Sequence, residues 1–264
     1  MLPIAKLPEL APLRLRGLLF DLDDTLLDHS QLGEAAYSAL FRLREAGFEL
    51  YAATGRPAGW AAVIVRQWPI SGAIAENGAL GFFSDEHGMH TVDPETTEER
   101  QRRVHLLAVL CAELRQEFPD LVPADDVPLR RTDYTFDIGE HQRVPAARVA
   151  LVRGFAEARG ASTLASSVHL HVSFDRTDKA SGIVRLIHAL RGVDPSTILT
   201  RYAYIGDSEN DSSCFAAFRH SIGVRNLSGR PTLAPRYITT RERGAGFVEA
   251  AEALLKAGVA GPVR

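Results

Sequence analysis

Residues 18–25 read Leu-Leu-Phe-Asp-Leu-Asp-Asp-Thr, an apolar run followed at once by three carboxylates within four positions. Like charges this close raise one another's pKa unless a cation or a proton lies between them. The apolar run predicts a buried strand, so the carboxylates stand at its carboxyl end. A strand end of this composition favours a site that holds a metal ion, a nucleophile or both.

The bulk composition is ordinary for a globular protein. The chain has 264 residues, of which 45% are hydrophobic and 24% charged, and this length allows one large α/β domain or one domain with a smaller insertion. The net charge of -3 gives no electrostatic footprint for nucleic acid. No apolar run approaches the length of a membrane span. We therefore expect neither a nucleic-acid nor a membrane partner.

The cysteines and the N-terminal segment bear on location. Cys111 and Cys214 are far apart in sequence, so they form neither a metal-spaced pair nor a disulfide framework. Residues 1–12 contain three prolines and no continuous apolar core, which predicts a short arm ahead of the first strand and not a signal peptide. These features favour a reducing, cytoplasmic location.

Both ends of the chain alternate between strand and helix patterns. The first part predicts strands at 15–22, 48–53 and 72–75, with helices at 33–46 and up to about residue 68. The last part predicts helices at 180–191 and 246–257 and strands at 202–205, 221–224 and 237–239. This alternation predicts a parallel sheet with crossover helices.

The pattern between these parts is different. It predicts a hairpin at 81–83 and 90–92, a helix at 98–118, a strand at 134–138, a helix at 144–159, and a second hairpin at 163–165 and 168–174 around Ser166 and Ser167. This helix-and-hairpin content is of α+β type. We predict a discontinuous core domain formed by residues 1–78 and 176–264, with a small domain, residues 79–175, inserted into it.

Polar side chains follow three strands of the predicted parallel sheet. They are Asp21 and Asp23 after the first strand, Thr54-Gly55-Arg56 after the second, and Asp207 after the strand at 202–205, while Lys179 begins a helix. Ligands of open α/β sheets lie at the carboxyl ends of the strands, so these groups are expected to meet.

The set suits phosphoryl transfer through an aspartate. A carboxylate can attack phosphorus, and Mg²⁺ bound by oxygen ligands relieves the repulsion between the two anions. A lysine and a hydroxyl hold the phosphate oxygens, and a second carboxylate acts as acid and base. Because alternate residues of a strand share a face, Asp21 and Asp23 are expected to reach one phosphate.

These motifs resemble, in order, the four motifs of the haloacid dehalogenase (HAD) superfamily, and the resemblance covers the chain except the insertion. It implies a Rossmann-like core, with Asp21 as nucleophile and Asp23 as general acid and base. It implies that phosphate and substrate are bound by Thr54, Gly55, Arg56, Asn77, Lys179 and Asn210. It implies that Mg²⁺ is held by Asp21, the backbone carbonyl of Asp23, and Asp207, with Asn210 and Asp211 in support.

The position and content of the insertion resemble the C2B cap of one HAD subfamily, whose members are similar to Cof-type, sucrose-phosphate and mannosyl-3-phosphoglycerate phosphatases. The resemblance implies a phosphatase, monomeric or homodimeric, acting on a sugar phosphate or glycosyl-phosphoglycerate. Asp24 and Ala180 depart from the family pattern, since glycine is frequent at both positions. The assignment of Lys179 is supported because no other lysine lies between Lys6 and Lys256.

Several residues keep two interpretations. Arg56 either binds the substrate phosphate or pairs with a carboxylate. Asn77 is either a turn residue or a substrate contact, and Asp211 is either a neighbour of a helix cap or a support for the metal. Asp24 and Cys214 are interpreted as a turn residue and a core residue, respectively.

The predicted insertion carries two pairs with similar ambiguity. His169 and His171 share one face of a strand, where they either contact substrate or metal or belong to a packed or solvated hairpin face. Arg130 and Arg131 either meet a second anionic group or lie in a solvated loop.

Two other functions compete with hydrolysis. A phosphomutase would use the same two aspartates and exclude water, and a sensor would keep the fold without catalysis. The sequence does not favour a Rossmann dehydrogenase, since no Gly-x-Gly-x-x-Gly follows the first strand.

Overall fold

The computed structural model describes residues 1–8, 15–166, 168–227 and 232–258. Within these ranges twelve strands form two sheets, a large one of nine strands and a small one of three. The strands are β1 (Leu2–Pro3), β2 (Gly17–Phe20), β3 (Glu49–Ala53), β4 (Gly72–Ala75), β5 (Leu80–Asp85), β6 (Gly88–Val92), β7 (Asp133–Asp137), β8 (Ser162–Ala165), β9 (His169–Ser173), β10 (Tyr202–Gly206), β11 (His220–Gly223) and β12 (Tyr237–Ile238).

The described residues also form eight α-helices. They are α1 (Glu34–Glu45), α2 (Ala58–Gln67), α3 (Thr97–Glu117), α4 (Ala146–Glu157), α5 (Lys179–Arg191), α6 (Pro195–Arg201), α7 (Ser212–Ala217) and α8 (Arg243–Ala257). None of the helices that the structure describes is long and apolar enough to span a bilayer.

The large sheet has the order β1-β12-β11-β10-β2-β3-β4-β5-β6. Neighbouring strands are parallel from β1 to β4, and β5 and β6 add an antiparallel hairpin at one edge. The central strand β2 lies between β10 and β3, so the loops after these three strands emerge side by side. The predicted α/β class with a parallel central sheet is confirmed.

Helices cover both faces of the large sheet, which explains why β2 is apolar at every position. Leu18 and Phe20 belong to one buried cluster together with residues of α1, α2 and α8. Leu19 belongs to a second cluster with residues of α5 and α7. Phe20 packs edge-on against Phe247 of α8, with ring centroids 5.5 Å apart.

The small sheet has the order β7-β9-β8 and is antiparallel throughout. Together with α3 and α4 it forms what we call the small unit. Tyr134, Phe136, Leu170 and Val172 pack with residues of α3 and α4 in a third buried cluster. Because side chains alternate along a strand, the other face of β7 and β9 is polar.

The structure differs from the sequence predictions at several places. The hairpin β5–β6, grouped with the insertion in the sequence analysis, extends the large sheet because β5 pairs with β4. The first strand was predicted over 15–22, but β2 ends at Phe20, where the chain enters a turn. Helix α6 was not predicted, and α8 begins three residues early. The predicted arm pairs with β12 through β1, while its residues 9–12, and Ser167, lie outside the described residues.

The buried cluster around α1 leads to a stability prediction. Leu40→Ala in α1 is expected to lower the free energy of unfolding by about 2–5 kcal/mol, because it removes fully buried methyl groups and leaves a cavity. Leu151→Ala in α4 is the matched control, since Leu151 is 61% exposed, and should change it by less than about 0.5 kcal/mol. Denaturant unfolding followed by circular dichroism measures both, and equal losses would contradict this core.

Candidate active site

A cleft of about 320 Å³ opens at the carboxyl ends of β2, β3 and β10. One wall belongs to the large sheet and the other to the small unit. The residues that line it are Asp21, Asp23, Ser30, Gly55, Arg56, Trp60, Asp125, Asp126, Arg130, Glu140, Ser166, Val168, His169, His171, Asp207, Ser208 and Asn210. A second recess of about 230 Å³ shares His171 and Asn210 with this cleft and is also lined by Asn77 and Lys179.

Lys179 joins three segments of the chain at the base of the site. It is the first residue of α5, whose start is fixed by a reciprocal capping box between Asp178 and Ser181. Its buried ammonium lies 2.6 Å from Asp21 Oδ1 and 2.7 Å from Asp211 Oδ1. The two carboxylates raise the pKa of Lys179 despite its burial, which by itself lowers it, so the ammonium stays charged.

Asp211 holds the loop after β10 in place. Its Oδ1 accepts hydrogen bonds from Lys179 and the Tyr204 hydroxyl, and its Oδ2 accepts them from the backbone N–H groups of Asp207 and Ser208. A carboxylate has about four acceptor positions, and protein donors fill them all. Gly206 leaves room for this arrangement, because a Cβ there would lie 2.4 Å from Asp211 Oδ2.

Three buried carboxylates, those of Asp21, Asp207 and Asp211, have oxygen atoms within 4.8 Å of one another. Burial raises the pKa of Asp21 to about 7, with Asp211 and Asp23 adding to the rise that Lys179 opposes. Burial and the charges of Asp21 and Asp211 raise the pKa of Asp207 to about 9. A divalent cation would relieve this repulsion, and an all-oxygen donor set suits Mg²⁺.

Asp23 lies on a turn beyond β2 and not on the strand, so strand alternation does not explain why it faces the cleft with Asp21. The turn is closed by a hydrogen bond from the Leu27 N–H to the Leu22 carbonyl. Asp23 is half-exposed and forms an ion pair with Arg56. Nη2 of Arg56 lies 2.6 Å from Oδ1, and Nε lies 3.0 Å from each carboxylate oxygen. Of the two interpretations of Arg56, pairing with a carboxylate is the one seen in this structure.

Arg56 is held on its other side by an aromatic ring. Its guanidinium carbon lies 4.5 Å from the ring centroid of Trp60, which also lines the cleft.

Asp24 is a turn residue, as predicted from its position. Its φ of +54° lies in the left-handed region that favours glycine, which accounts for the glycine frequent here in the family. Its carbonyl accepts a hydrogen bond from Asn226, and its carboxylate binds Arg243 Nε at 2.9 Å. These contacts connect the turn to the start of α8.

The loops after β3 and β4 lie beside each other. Thr54 is fully buried, and its Oγ1 accepts the N–H of Arg56 at 3.0 Å. The N–H of Asn77 donates to the Thr54 carbonyl. The side-chain oxygen of Asn77 accepts a hydrogen bond from Asn210 and lies close to the position that a Cβ at Gly55 would take. Asn77 also has a φ of +54°, so it is a turn residue that at the same time faces the recess.

Comparison with known proteins agrees with this arrangement. A model of the haloacid dehalogenase-like hydrolase family matches residues 18–107, which include Asp21, Asp23 and Thr54. A phosphoglycolate phosphatase of Methanococcoides burtonii is 26% identical over 246 residues, covering 93% of this chain and 99% of that protein.

Solved structures share the fold. The structure of Thermoplasma acidophilum 0175 has a TM-score of 0.72 and 18% identity, covering 92% of this chain and 99% of the other. The sucrose-phosphatase from Synechocystis in complex with sucrose and phosphate has a TM-score of 0.62 and 18% identity, covering 90% and 97%. These matches support a phosphatase that is similar to the haloacid dehalogenase-like hydrolases. The resemblance predicted from the motifs is thereby confirmed.

The sequence analysis missed Glu76. Its buried carboxylate accepts the N–H groups of Ala58, Arg131, Thr132 and Asp133 and the Thr132 hydroxyl. Burial raises the pKa of Glu76 above its usual value. The available signal was a carboxylate directly after the buried strand β4, next to the Asn-Gly pair. Glu76 fastens the small unit to the loop after β4.

Arg130 is not the solvated loop residue that one interpretation predicted. Its side chain is 1% exposed and binds Asp126 and Asp133, and its Nη1 donates to the Gly55 carbonyl at 3.0 Å. This is a second tie between the small unit and the loop after β3.

The tight contact at Gly206 gives a test of the site. Gly206→Ala is expected to lower kcat/KM about 100-fold, because the added methyl group would displace the Asp211 carboxylate from Lys179. Gly33→Ala is the control, since a Cβ there meets no atom within 4 Å. Hydrolysis of p-nitrophenyl phosphate measures activity, and thermal unfolding verifies folding. Wild-type rates in Gly206→Ala would show that the contact is not required.

Proposed function

We propose that this protein is a Mg²⁺-dependent phosphatase that hydrolyses a small phosphorylated metabolite, a sugar phosphate or glycosyl-phosphoglycerate, through an aspartyl-phosphate formed on Asp21. The observation that carries the proposal is the buried contact of Lys179 with Asp21, next to Asp207 and at the base of a cleft. A nucleophilic carboxylate needs such cationic neighbours before it can approach a phosphate dianion.

The chain's oxygen ligands fit Mg²⁺. Asp21, Asp207 and the backbone carbonyl of Asp23 would hold it. The acceptor positions of Asp211 are filled by Lys179, Tyr204 and two N–H groups, so we assign Asp211 to support of the ligands. Bound there, Mg²⁺ supplies positive charge that offsets the repulsion between the carboxylates and the phosphate.

The first chemical step takes place at Asp21. One oxygen of its carboxylate forms a bond to phosphorus as the bond between phosphorus and the ester oxygen breaks. Lys179 and the hydroxyl of Thr54 hold phosphoryl oxygens and stabilise the charge that develops on them. The leaving alcohol receives a proton from Asp23.

The second step returns the proton. Asp23 takes a proton from a water molecule, whose oxygen bonds to phosphorus while the bond to Asp21 breaks and phosphate is released. In this structure Asp23 is paired with Arg56. We infer that the incoming phosphate draws Arg56 away, so that Asp23 can take up the proton it donates.

The size of the cleft supports a small substrate. About 320 Å³ is at the lower end of the range for sites that bind small molecules. Sugar phosphates are supported by the likeness to sucrose-phosphatase, and phosphoglycolate is the substrate named for the Methanococcoides burtonii relative. Release of inorganic phosphate from a panel of phosphate esters, with Mg²⁺ present, tests the proposal directly.

The two-step mechanism is tested by two substitutions. Asp21→Asn is expected to lower kcat more than about 10³-fold, because the nucleophile is lost. Asp23→Asn is expected to accumulate the aspartyl-phosphate with p-nitrophenyl phosphate. The leaving group of this substrate departs without a proton, but hydrolysis of the aspartyl-phosphate still needs a base. Acid quenching and mass spectrometry detect the added phosphoryl group.

The double variant Asp21→Asn/Asp23→Asn is the control and should gain no phosphoryl group. A phosphoryl group on this double variant, or full turnover by Asp21→Asn, would place the nucleophile elsewhere.

The metal requirement has a readout that does not depend on turnover. Mg²⁺ is expected to raise the thermal midpoint of the EDTA-treated protein, because a ligand that binds only the folded state stabilises it. The rise should vanish in Asp207→Asn and persist in the control Glu86→Gln, whose side chain is 86% exposed. Activity should disappear with EDTA and return with Mg²⁺. An unchanged midpoint together with EDTA-resistant activity would exclude this metal site.

A further inference from the structure

The polar face of the small sheet forms part of the cleft wall. Thr135 of β7 lies opposite His171 of β9, and Asp133 lies opposite Ser173, so all four side chains share one face. The other face is packed against α3 and α4. His171 lines both the cleft and the adjoining recess, at the point where they meet.

The ring of His171 is oriented by its neighbours. Its Nδ1 lies 2.8 Å from Asp133 Oδ2, and both side chains are almost fully buried. Arg130 Nη1 holds the same carboxylate at 2.9 Å. Burial by itself raises the pKa of Asp133, but the charge of Arg130 and the hydrogen bond to His171 keep this pKa below its usual value.

This orientation decides what Nε2 of His171 can do. An ionised carboxylate only accepts hydrogen bonds, so Nδ1 of His171 must donate to Asp133. Burial keeps the pKa of His171 below its usual value despite the Asp133 carboxylate, which favours the neutral ring. The remaining nitrogen of a neutral ring is an acceptor, and among the described residues Nε2 has no hydrogen-bond partner.

The same wall is rich in hydrogen-bond acceptors, and the polar groups of Arg130 and His169 on it already have carboxylate partners. Arg130 is held by Asp126 and Asp133, and His169 lies 2.8 Å from Glu140. On the opposite wall, Arg56 is held by Asp23. Acceptors of this kind pair with hydroxyl groups. A carboxylate on the substrate, in addition to its phosphate, would instead be repelled by the carboxylates of this wall.

We propose that Nε2 of His171 accepts a hydrogen bond from a hydroxyl group on the leaving alcohol, and that His171 thereby selects hydroxyl-bearing phosphate esters over esters that carry a carboxylate. This inference rests on the proposed phosphatase function and names the residue that recognises the substrate. Of the two substrate classes proposed above, it selects sugar phosphates, because a glycosyl-phosphoglycerate carries a carboxylate. Asp133 and Arg130 are positioning residues for the imidazole.

The test compares three esters, namely glucose 6-phosphate, 2-phosphoglycolate and p-nitrophenyl phosphate, in the full-length protein with Mg²⁺. The wild type is expected to favour glucose 6-phosphate over 2-phosphoglycolate in kcat/KM. His171→Phe keeps a ring but removes the acceptor, and should lower kcat/KM for glucose 6-phosphate about tenfold. Its rate with p-nitrophenyl phosphate, which offers no hydroxyl group, should stay within about twofold.

His171→Gln is the rescue variant, since its amide oxygen restores an acceptor near the position of Nε2. It should recover most of the activity on glucose 6-phosphate, and it also covers the case in which His171→Phe does not fold. Thermal unfolding of both variants is measured beside the rates.

Each other outcome counts against the inference. Equal losses on glucose 6-phosphate and p-nitrophenyl phosphate, an unaffected His171→Phe, or a wild-type preference for 2-phosphoglycolate would overturn it while leaving the phosphatase intact. No phosphate released from any of the three esters by the wild type would overturn the proposed function itself, and the inference with it.

Discussion

The site depends on one buried ammonium group, that of Lys179, which lies between the carboxylates of Asp21 and Asp211. A buried charge is tolerated only when opposite charges and hydrogen bonds compensate for lost hydration. This requirement ties the end of β2, the start of α5 and the loop after β10 to one point. The two parts of the chain that build the large sheet therefore meet at the site as well as in the apolar core.

A second set of contacts fixes the other wall of the cleft. The Glu76 carboxylate accepts hydrogen bonds from the consecutive backbone N–H groups of residues 131–133, and Arg130 donates to the Gly55 carbonyl. Both ties end on loops that also carry proposed phosphate-binding residues. The small unit is thus attached to the loops of the site and not only to the ends of its connecting segments.

Much of the fold and site could be predicted because their signals are local. Apolar runs ending in Asp21, Thr54 and Asp207 indicate strand ends, and parallel strands bring their carboxyl ends to one edge. The roles of Glu76 and Arg130 could not be predicted, because their partners are long-range contacts such as Glu76 with Thr132, 56 residues away. Periodicity identified the β5–β6 hairpin but carries no information about which sheet it joins. Helix α6 was not predicted, although Asp194 at the N-cap and Pro195 at the first helical position are typical of a helix start.

The small sheet separates two tasks by the alternation of its strands. Alternate side chains of β7 and β9 pack against α3 and α4, and His169 and His171 on the opposite face line the cleft. A change on the cleft side leaves the apolar contacts behind it untouched. Such a sheet allows related chains to diversify in the molecules they accept while their framework stays the same, since recognition and folding draw on different residues.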